Sequence, residues 1–232
     1  MNKEIRFTPI AVIRSDFKEK FGIPRQGGLA DTEAEILFEP EYRAEEALRG
    51  LEAYSHIWLL WFFSESVFEQ GKWSPTVRPP RLGGNTRMGV FATRSPFRPN
   101  PAGLSCVRLK RIDMKTPEGP VLHVSGADLL DGTPVFDIKP YLPYVDSIPD
   151  ALGGFAEDMK DYGLDIDFPQ RWRDAVSEEE YRTLCQILRQ DPRPSYQNAP
   201  ERVYGMSYAD MEIQFTVDQN LLHICRICRK DV

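Results

Sequence analysis

The chain has 232 residues, room for one large domain or for one medium and one small, and is 41% hydrophobic with a formal net charge of −6. Its longest apolar run, residues 57–63 (IWLLWFF), is too short to span a bilayer, and Glu4 and Arg6 interrupt the start where a secretory signal needs an unbroken apolar stretch, so a cytoplasmic protein is expected. Four cysteines make no disulfide framework in a chain this size, and three scattered histidines suggest no metal site.

Up to residue 149 the pattern is mostly strand. Residues 5–13 form a β-like run, and 34–38 (AEILF) alternate. The stretch 40–55, PEYRAEEALRGLEAYS, places Ala44, Ala47, Leu48 and Leu51 on one helical face. Residues 57–63 are apolar on both faces, as a central strand would be. Residues 88–93, 104–112 and 121–130 alternate again, and Asp131-Gly132 marks a turn into 134–138 (PVFDI). Six or seven short strands around one helix predict a closed or nearly closed barrel.

Residues 150–169 mix acid, glycine and proline and read as a linker. Beyond it, 170–232 reads as a small α+β domain. Ser177 and Glu180 form a capping box that opens a helix running to about Arg189, with Tyr181, Leu184, Ile187 and Leu188 inward. Strands over 203–217 and 221–226 follow, joined by a D-Q-N turn. Cys225 and Cys228, three apart on the second strand, are expected on opposite faces, as buried or edge residues rather than redox or zinc ligands. The fold class is therefore mainly β, a small barrel with an α+β appendage.

The charge is unevenly spread. Residues 70–112 carry nine basic side chains, seven of them arginine, and no carboxylate, which leaves −15 for the rest of the chain. An acidic protein that keeps 43 consecutive residues free of carboxylates is expected to hold an anion there, and the planar guanidinium suits phosphate or carboxylate. The plainer alternative is a solvated basic face.

Familiar machines are missing: the sequence has no phosphate loop, no G-x-G-x-x-G, no H-E-x-x-H and no G-x-S-x-G. What remains is four loops at predicted strand ends. GIPRQGGL (22–29) sets Arg25 and Gln26 among glycines, and RPPRLGGNTRMG (78–89) carries Arg78, Arg81 and Arg87. TRSPFRPNPAGLS (93–105) stiffens Arg94 and Arg98 with three prolines, which suits a rigid wall of a binding site. DLLDGTPVFDIKPYLPYVDS (128–147) carries Asp128, Asp131, Asp137, Lys139 and Tyr141. A basic wall facing a carboxylate-bearing one fits a ligand with both charges, although Asp131 serves turn chemistry equally well.

Together these four motifs, in this order, resemble the bacterial tRNA threonylcarbamoyladenosine methyltransferase family, and the likeness runs from PIAVIRS (9–15) to QDPRPSY (190–196). The resemblance implies a β-barrel enzyme that binds S-adenosylmethionine across a homodimer and methylates the exocyclic nitrogen of a modified adenosine beside the anticodon of tRNA. It implies donor contacts at Pro24, Arg25 and Gln26, at Arg94, at Leu104, and at Asp128, Leu129, Leu130 and Asp131. A further pair falls on Ser64 and Glu65, where family members often show Phe-His. For the chemistry, Asp137 or Tyr141 is expected to take or relay a proton, and Arg94 and Lys139 to steady negative charge and bind the threonyl carboxylate. Arg78, Arg81, Arg87 and Arg98 are expected on the tRNA, with Arg98 also able to steady charge. No metal and no membrane are implied. The acidic appendage meets the anticodon arm through residues such as Arg193 and Arg202, or only braces the barrel. Two rival readings stand beside this one: a non-catalytic nucleotide- or RNA-binding barrel, and methyl transfer to another acceptor.

Overall fold

Alternation along the strands writes the barrel. The computed structural model describes residues 5–64, 73–82, 85–193 and 199–230. Its first half forms β1 (Ala11–Ser15), β2 (Glu33–Phe38), β3 (His56–Phe62), β4 (Thr76–Val77), β5 (Met88–Gly89), β6 (Ala102–Asp113), β7 (Val121–Ser125) and β8 (Pro134–Pro140). Six of these close in the order β1-β2-β7-β6-β3-β8, with every neighbouring pair antiparallel and β8 returning to β1. Ile13, Ile36, Ile57, Leu59, Val107, Leu122, Val124 and Val135 point inward and fill the core. The run over 57–63 obeys the same alternation, with Ile57, Leu59 and Trp61 buried and Trp58, Leu60 and Phe62 half-buried on the outer face. Apolar residues on the outer side of one strand are the first sign of a covered surface.

The expected helix over 40–55 is absent. Three short 3₁₀ turns occupy it, Pro40–Tyr42, Glu45–Leu48 and Leu51–Ala53, and Leu48 is the only buried residue in these turns. Extended ψ at Ala44 and Arg49 and the left-handed Gly50 (φ 89°) break the run before a stable α-helix can form. The first strand also starts later than its apolar pattern, leaving Ile5 and Phe7 exposed. Of the run over 88–93, only Met88–Gly89 pairs, and a 3₁₀ turn takes Val90–Ala92.

After α1 (Pro143–Asp146), the second half comprises β9 (Asp165–Asp167), α2 (Gln170–Arg173), α3 (Glu178–Arg189), β10 (Tyr204–Tyr208), β11 (Met211–Asp218) and β12 (Leu221–Arg229). The capping box forms as expected: Ser177 Oγ accepts from the Glu180 amide and Glu180 returns the bond to Ser177. Thr183, Leu184, Ile187 and Leu188 pack onto a sheet ordered β10-β11-β12-β9. The end of the stretch expected as linker thus supplies a strand, β9, parallel to β12. The expected 203–217 strand is a hairpin, folded at Ala209 with φ 51°. A bulge at Gln214/Phe215 leaves Cys225 unpaired in the register, so Cys225 and Cys228 share the side away from Ile224 and Ile227; both are free and half-buried.

One close contact prepares the rim. Gly103 pairs with Trp61, and a Cβ there would lie 2.2 Å from the indole Cε2. Gly103→Ala is therefore expected to cost about 1–3 kcal/mol of stability, seen as a lower urea midpoint at unchanged slope.

Candidate active site at the barrel rim

Three connections meet at the end of the barrel where β3 finishes and β6 begins: residues 16–32, 90–101 and 126–133. The first is threaded through the third. Gly28 donates its amide to the Gly126 carbonyl (2.9 Å), Gly126 donates to Thr32 O (2.9 Å), and the Thr32 hydroxyl donates to Ala127 O (2.6 Å). Gly27 passes so close that a Cβ would sit 3.2–3.3 Å from Gly126 O, Asp128 Oδ1 and Cys106 O.

The middle connection is rigid, as its prolines predict. Arg98 and Ala102 amides close tight turns onto Pro96 O and Asn100 O (both 2.8 Å), and the Thr93 hydroxyl holds Val90 O (2.9 Å). Arg98 itself turns inward and rivets this loop, donating through Nη2 to Val90 O (3.0 Å) and Thr93 O (2.6 Å). Its Nη2 is thus committed to loop carbonyls and its Nε is buried without a partner, a placement that favours bracing the loop over the expected reach to RNA. Arg94 remains exposed and donates to Gln26 Oε1.

Asp128 lies beneath that pair. Its Oδ1 accepts from the Ser105 hydroxyl (2.6 Å), the Gly27 amide also donates to it, and the positive charge of Arg94 acts on it. Ser105 in turn accepts from Trp61 Nε1 (3.0 Å). Burial pushes the Asp128 carboxyl above the ordinary aspartate range, and the Ser105, Gly27 and Arg94 contacts pull the other way without cancelling it. Ser105 and Trp61 were missed in the sequence. Their one signal was a hydroxyl at an inward position of the alternating LSCVRLK strand.

The other expected contacts divide. Pro24 is buried in the loop, and Arg25 donates to Arg193 O (3.3 Å). Leu129 is a core residue, so only its backbone faces the loops, and its carbonyl accepts from Ser15 Oγ (2.8 Å). Leu130 uses its carbonyl on Thr133. Asp131 is a turn clamp, accepting from the Ser15 amide (2.9 Å) and pairing with Lys18 (2.8 Å). Ser64 is exposed at the end of β3; Glu65 lies outside the described residues. Leu104 stands on the outer face in one row with Leu60 and Asp137, about 10 Å from Asp137 across two strand spacings. Asp137 accepts from the Ile138 amide (2.9 Å) and pairs with Lys139 (2.8 Å), one row on, and Tyr141 packs against Trp58 beyond it (centroids 5.8 Å).

The basic stretch is less free than its composition suggests. Lys110 pairs with Glu33, and Arg111 with Asp113 (3.3 Å). Arg78, Arg87 and Arg108 are exposed, Arg87 donating to Thr76 Oγ1 (3.0 Å); the Arg81 side chain lies outside the described residues. In the appendage, Arg193 is buried against Asp191 (2.9 Å), which removes it as an RNA contact, and Arg202 lies over the Tyr204 ring (5.2 Å).

A six-stranded antiparallel barrel whose rim loops bring Arg94 near a buried carboxylate is a closed β architecture, unlike the doubly wound sheets that hold nucleotides at a strand crossover. Family models settle the particular kind. Residues 12–147 match the tRNA-methyltransferase O N-terminal domain and 161–230 the TrmO C-terminal domain, so the chain belongs to the tRNA-methyltransferase O family. It is 43% identical over 221 residues to the tRNA (adenine(37)-N6)-methyltransferase of Escherichia coli, covering 91% of this chain and 93% of that one. It is 41% identical over 145 residues to a "Probable S-adenosyl-L-methionine-binding protein" of Methanothermobacter thermautotrophicus, covering 62% of this chain and 96% of that one. A crystal structure of TrmO from Pseudomonas aeruginosa superposes with a TM-score of 0.76 at 35% identity, covering 99% of both chains.

Because the folded Asp128 pKa is raised, its contribution to stability is present below the unfolded value and lost as the pH rises through the folded one. Asp128→Asn keeps an acceptor for Ser105 and Gly27 without the buried charge. The variant is expected to melt higher than the parent at pH 7, the gain vanishing in acid, in thermal scans across pH.

Proposed function

We propose that the chain is an S-adenosylmethionine-dependent tRNA methyltransferase acting on the exocyclic N6 of an adenosine beside the anticodon, one that already carries a threonylcarbamoyl group. Family membership supports the reaction class, and the named activity of the E. coli relative supports the acceptor. The observation that carries the reading is the meeting of Arg94, Gln26, Gly27 and Asp128 at the rim: Arg94 donates to Gln26, and Asp128 accepts from the Gly27 amide and feels the Arg94 charge. Its donor set fits the methionyl end of the cofactor, with Arg94 for the carboxylate and Asp128 for the ammonium, and the half-buried Phe63 beside Trp61 (centroids 4.3 Å) offers an aromatic flank for the adenine. When bound, S-adenosylmethionine supplies a methyl group on a sulfonium, already activated for transfer.

The residues of the chain then have two tasks. Rigid rim loops orient the acceptor and exclude water, an advantage worth up to roughly 7–11 kcal/mol of barrier when alignment is good. The second task is harder, because a nitrogen between a purine and a carbonyl shares its lone pair with both. Asp137, in the row of Leu104, takes its proton; Lys139 steadies the charge; Tyr141 packs behind them as a relay. Arg78, Arg81, Arg87 and Arg108 meet the tRNA backbone.

A homodimer completes the arrangement. The outer face of β3, β6 and β8 presents Phe62, Leu104 and Phe136, extended by exposed Phe7 against Phe136, and the chain that follows β8 exposes Tyr144, Ile148 and Leu152. Such a patch calls for a cover, and a second copy supplies one. The enzyme works in the cytoplasm, with its tRNA.

Three measurements test this. S-adenosylmethionine at 100 times its Kd is expected to add roughly 2.7 kcal/mol of stability, whereas a non-catalytic RNA barrel would show no shift. In single-turnover methylation at saturating donor, Asp137→Asn is expected to lose about 10²–10⁴-fold in rate; wild-type rates in both Asp137→Asn and Tyr141→Phe would remove them as proton acceptors. Arg78→Ala and Arg87→Ala are each expected to weaken tRNA binding and to lower the slope of log K against log salt by about 1.

A further inference from the structure

The connection between β1 and β2, residues 16–32, belongs to two bodies at once. Its beginning and end are buried in the appendage: Phe17 and Ala30, at 1% and 4% exposure, join the cluster of Leu184, Leu188, Met206 and Phe215. The Phe17 ring tilts against Tyr208 (5.2 Å) and Phe21 stacks on Phe215 (6.5 Å). Polar contacts reinforce this docking. Ala209 N–H donates to Asp16 O (3.1 Å), and Ser207 N–H donates to Glu19 Oε1 (2.9 Å). At the far end, Gln186 on α3 grips Asp31 twice, accepting from its amide (2.8 Å) and donating to its carboxylate (2.9 Å). Gly22, at φ 99°, rests so closely on Met206 that a Cβ would lie 2.3 Å from the sulfur.

Between these anchors the chain crosses to the barrel. Gln26 meets Arg94, Gly27 donates to Asp128 and Gly28 donates to Gly126. Pro24, Arg25 and Gln26 are thus a short bridge held by the appendage on one side and by the rim on the other. A loop of 17 residues free at one end would sample many conformations, and ordering it would subtract from ligand affinity.

We infer that the appendage is the device that preorganises the donor loop: Gln186 and Met206 are positioning residues for the methyl donor, although neither touches the rim contacts of Arg94 and Asp128. This rests on the reading that the donor sits at residues 24–26, and the experiment separates the two.

Calorimetry of S-adenosylmethionine with the full chain comes first. Gln186→Ala removes both hydrogen bonds to Asp31 and is expected to weaken binding by about tenfold, while single-turnover rate at saturating donor stays within about twofold. Swapping donor and acceptor in the double variant Asp31→Asn/Gln186→Glu is expected to restore affinity, which a general loss of folding would not allow. Independently of any ligand, amide hydrogen exchange at residues 22–28 is expected to speed up in Gln186→Ala and to recover in the double variant. Unchanged exchange, unchanged affinity, or a loss confined to the rate at saturating donor would each overturn the inference. No binding by the unaltered chain, with exchange still responsive to Gln186→Ala, would overturn the donor site instead and leave the appendage holding a loop of another purpose.

Discussion

A carboxylate withdrawn from water at the barrel rim sets the terms for its surroundings. Burial disfavours the ionised Asp128, so the fold must return hydrogen bonds and positive charge to it. Ser105 supplies one bond and the Gly27 amide another, while Arg94 supplies the charge. Each provision carries a further demand. Ser105 is oriented by the Trp61 indole, the indole fits only because Gly103 has no side chain, and Gly27 approaches the carboxylate so closely that a side chain would crowd it. Gly27 and Gly103 therefore both serve the surroundings of one buried carboxylate.

The same economy appears in the arginines. A stretch with nine cations and no anion would repel itself if laid on a single face. The fold distributes it: Lys110 and Arg111 pair with carboxylates on the barrel wall, Arg98 braces its loop, Arg94 donates to Gln26 at the rim, and Arg78, Arg87 and Arg108 face solvent. Among the described side chains, this last group is exposed and available to a phosphate backbone. The carboxylate-free stretch reflects several separate needs for a guanidinium that happen to be neighbours in the chain.

The two matched regions of the family, 12–147 and 161–230, suggest a division that the packing does not respect. Phe17 and Ala30 come from the barrel half by sequence and from the appendage by burial. An acidic appendage is an awkward RNA-binding surface, and Arg193, one of its two candidates in the sequence, is buried against Asp191. As an abutment for residues 16–32, its acidity is no obstacle.

Local order was legible in the sequence: strand alternation in β2, β6 and β7, the Ser177–Glu180 capping box with its inward residues, the Asp131-Gly132 turn, and the stiffness of TRSPFRPNPAGLS each follow from periodicities and dihedral restrictions that act over a few residues. The motif-bearing loops were legible too, since their composition excluded regular structure. What the tertiary structure alone decided was which of those residues face each other. The helix expected over 40–55 failed because amphipathic spacing cannot reveal the extended ψ at Ala44 and Arg49, and Cys225 met the side of Cys228 because a bulge shifted the strand's phase. Arg94 and Arg98 are four positions apart with like surroundings in sequence, yet one points to Gln26 and the other into its own loop. Ser105, Trp61 and Asp128 are separated by up to 67 residues in sequence, so only barrel closure, which sets strand register, could place the serine between the other two.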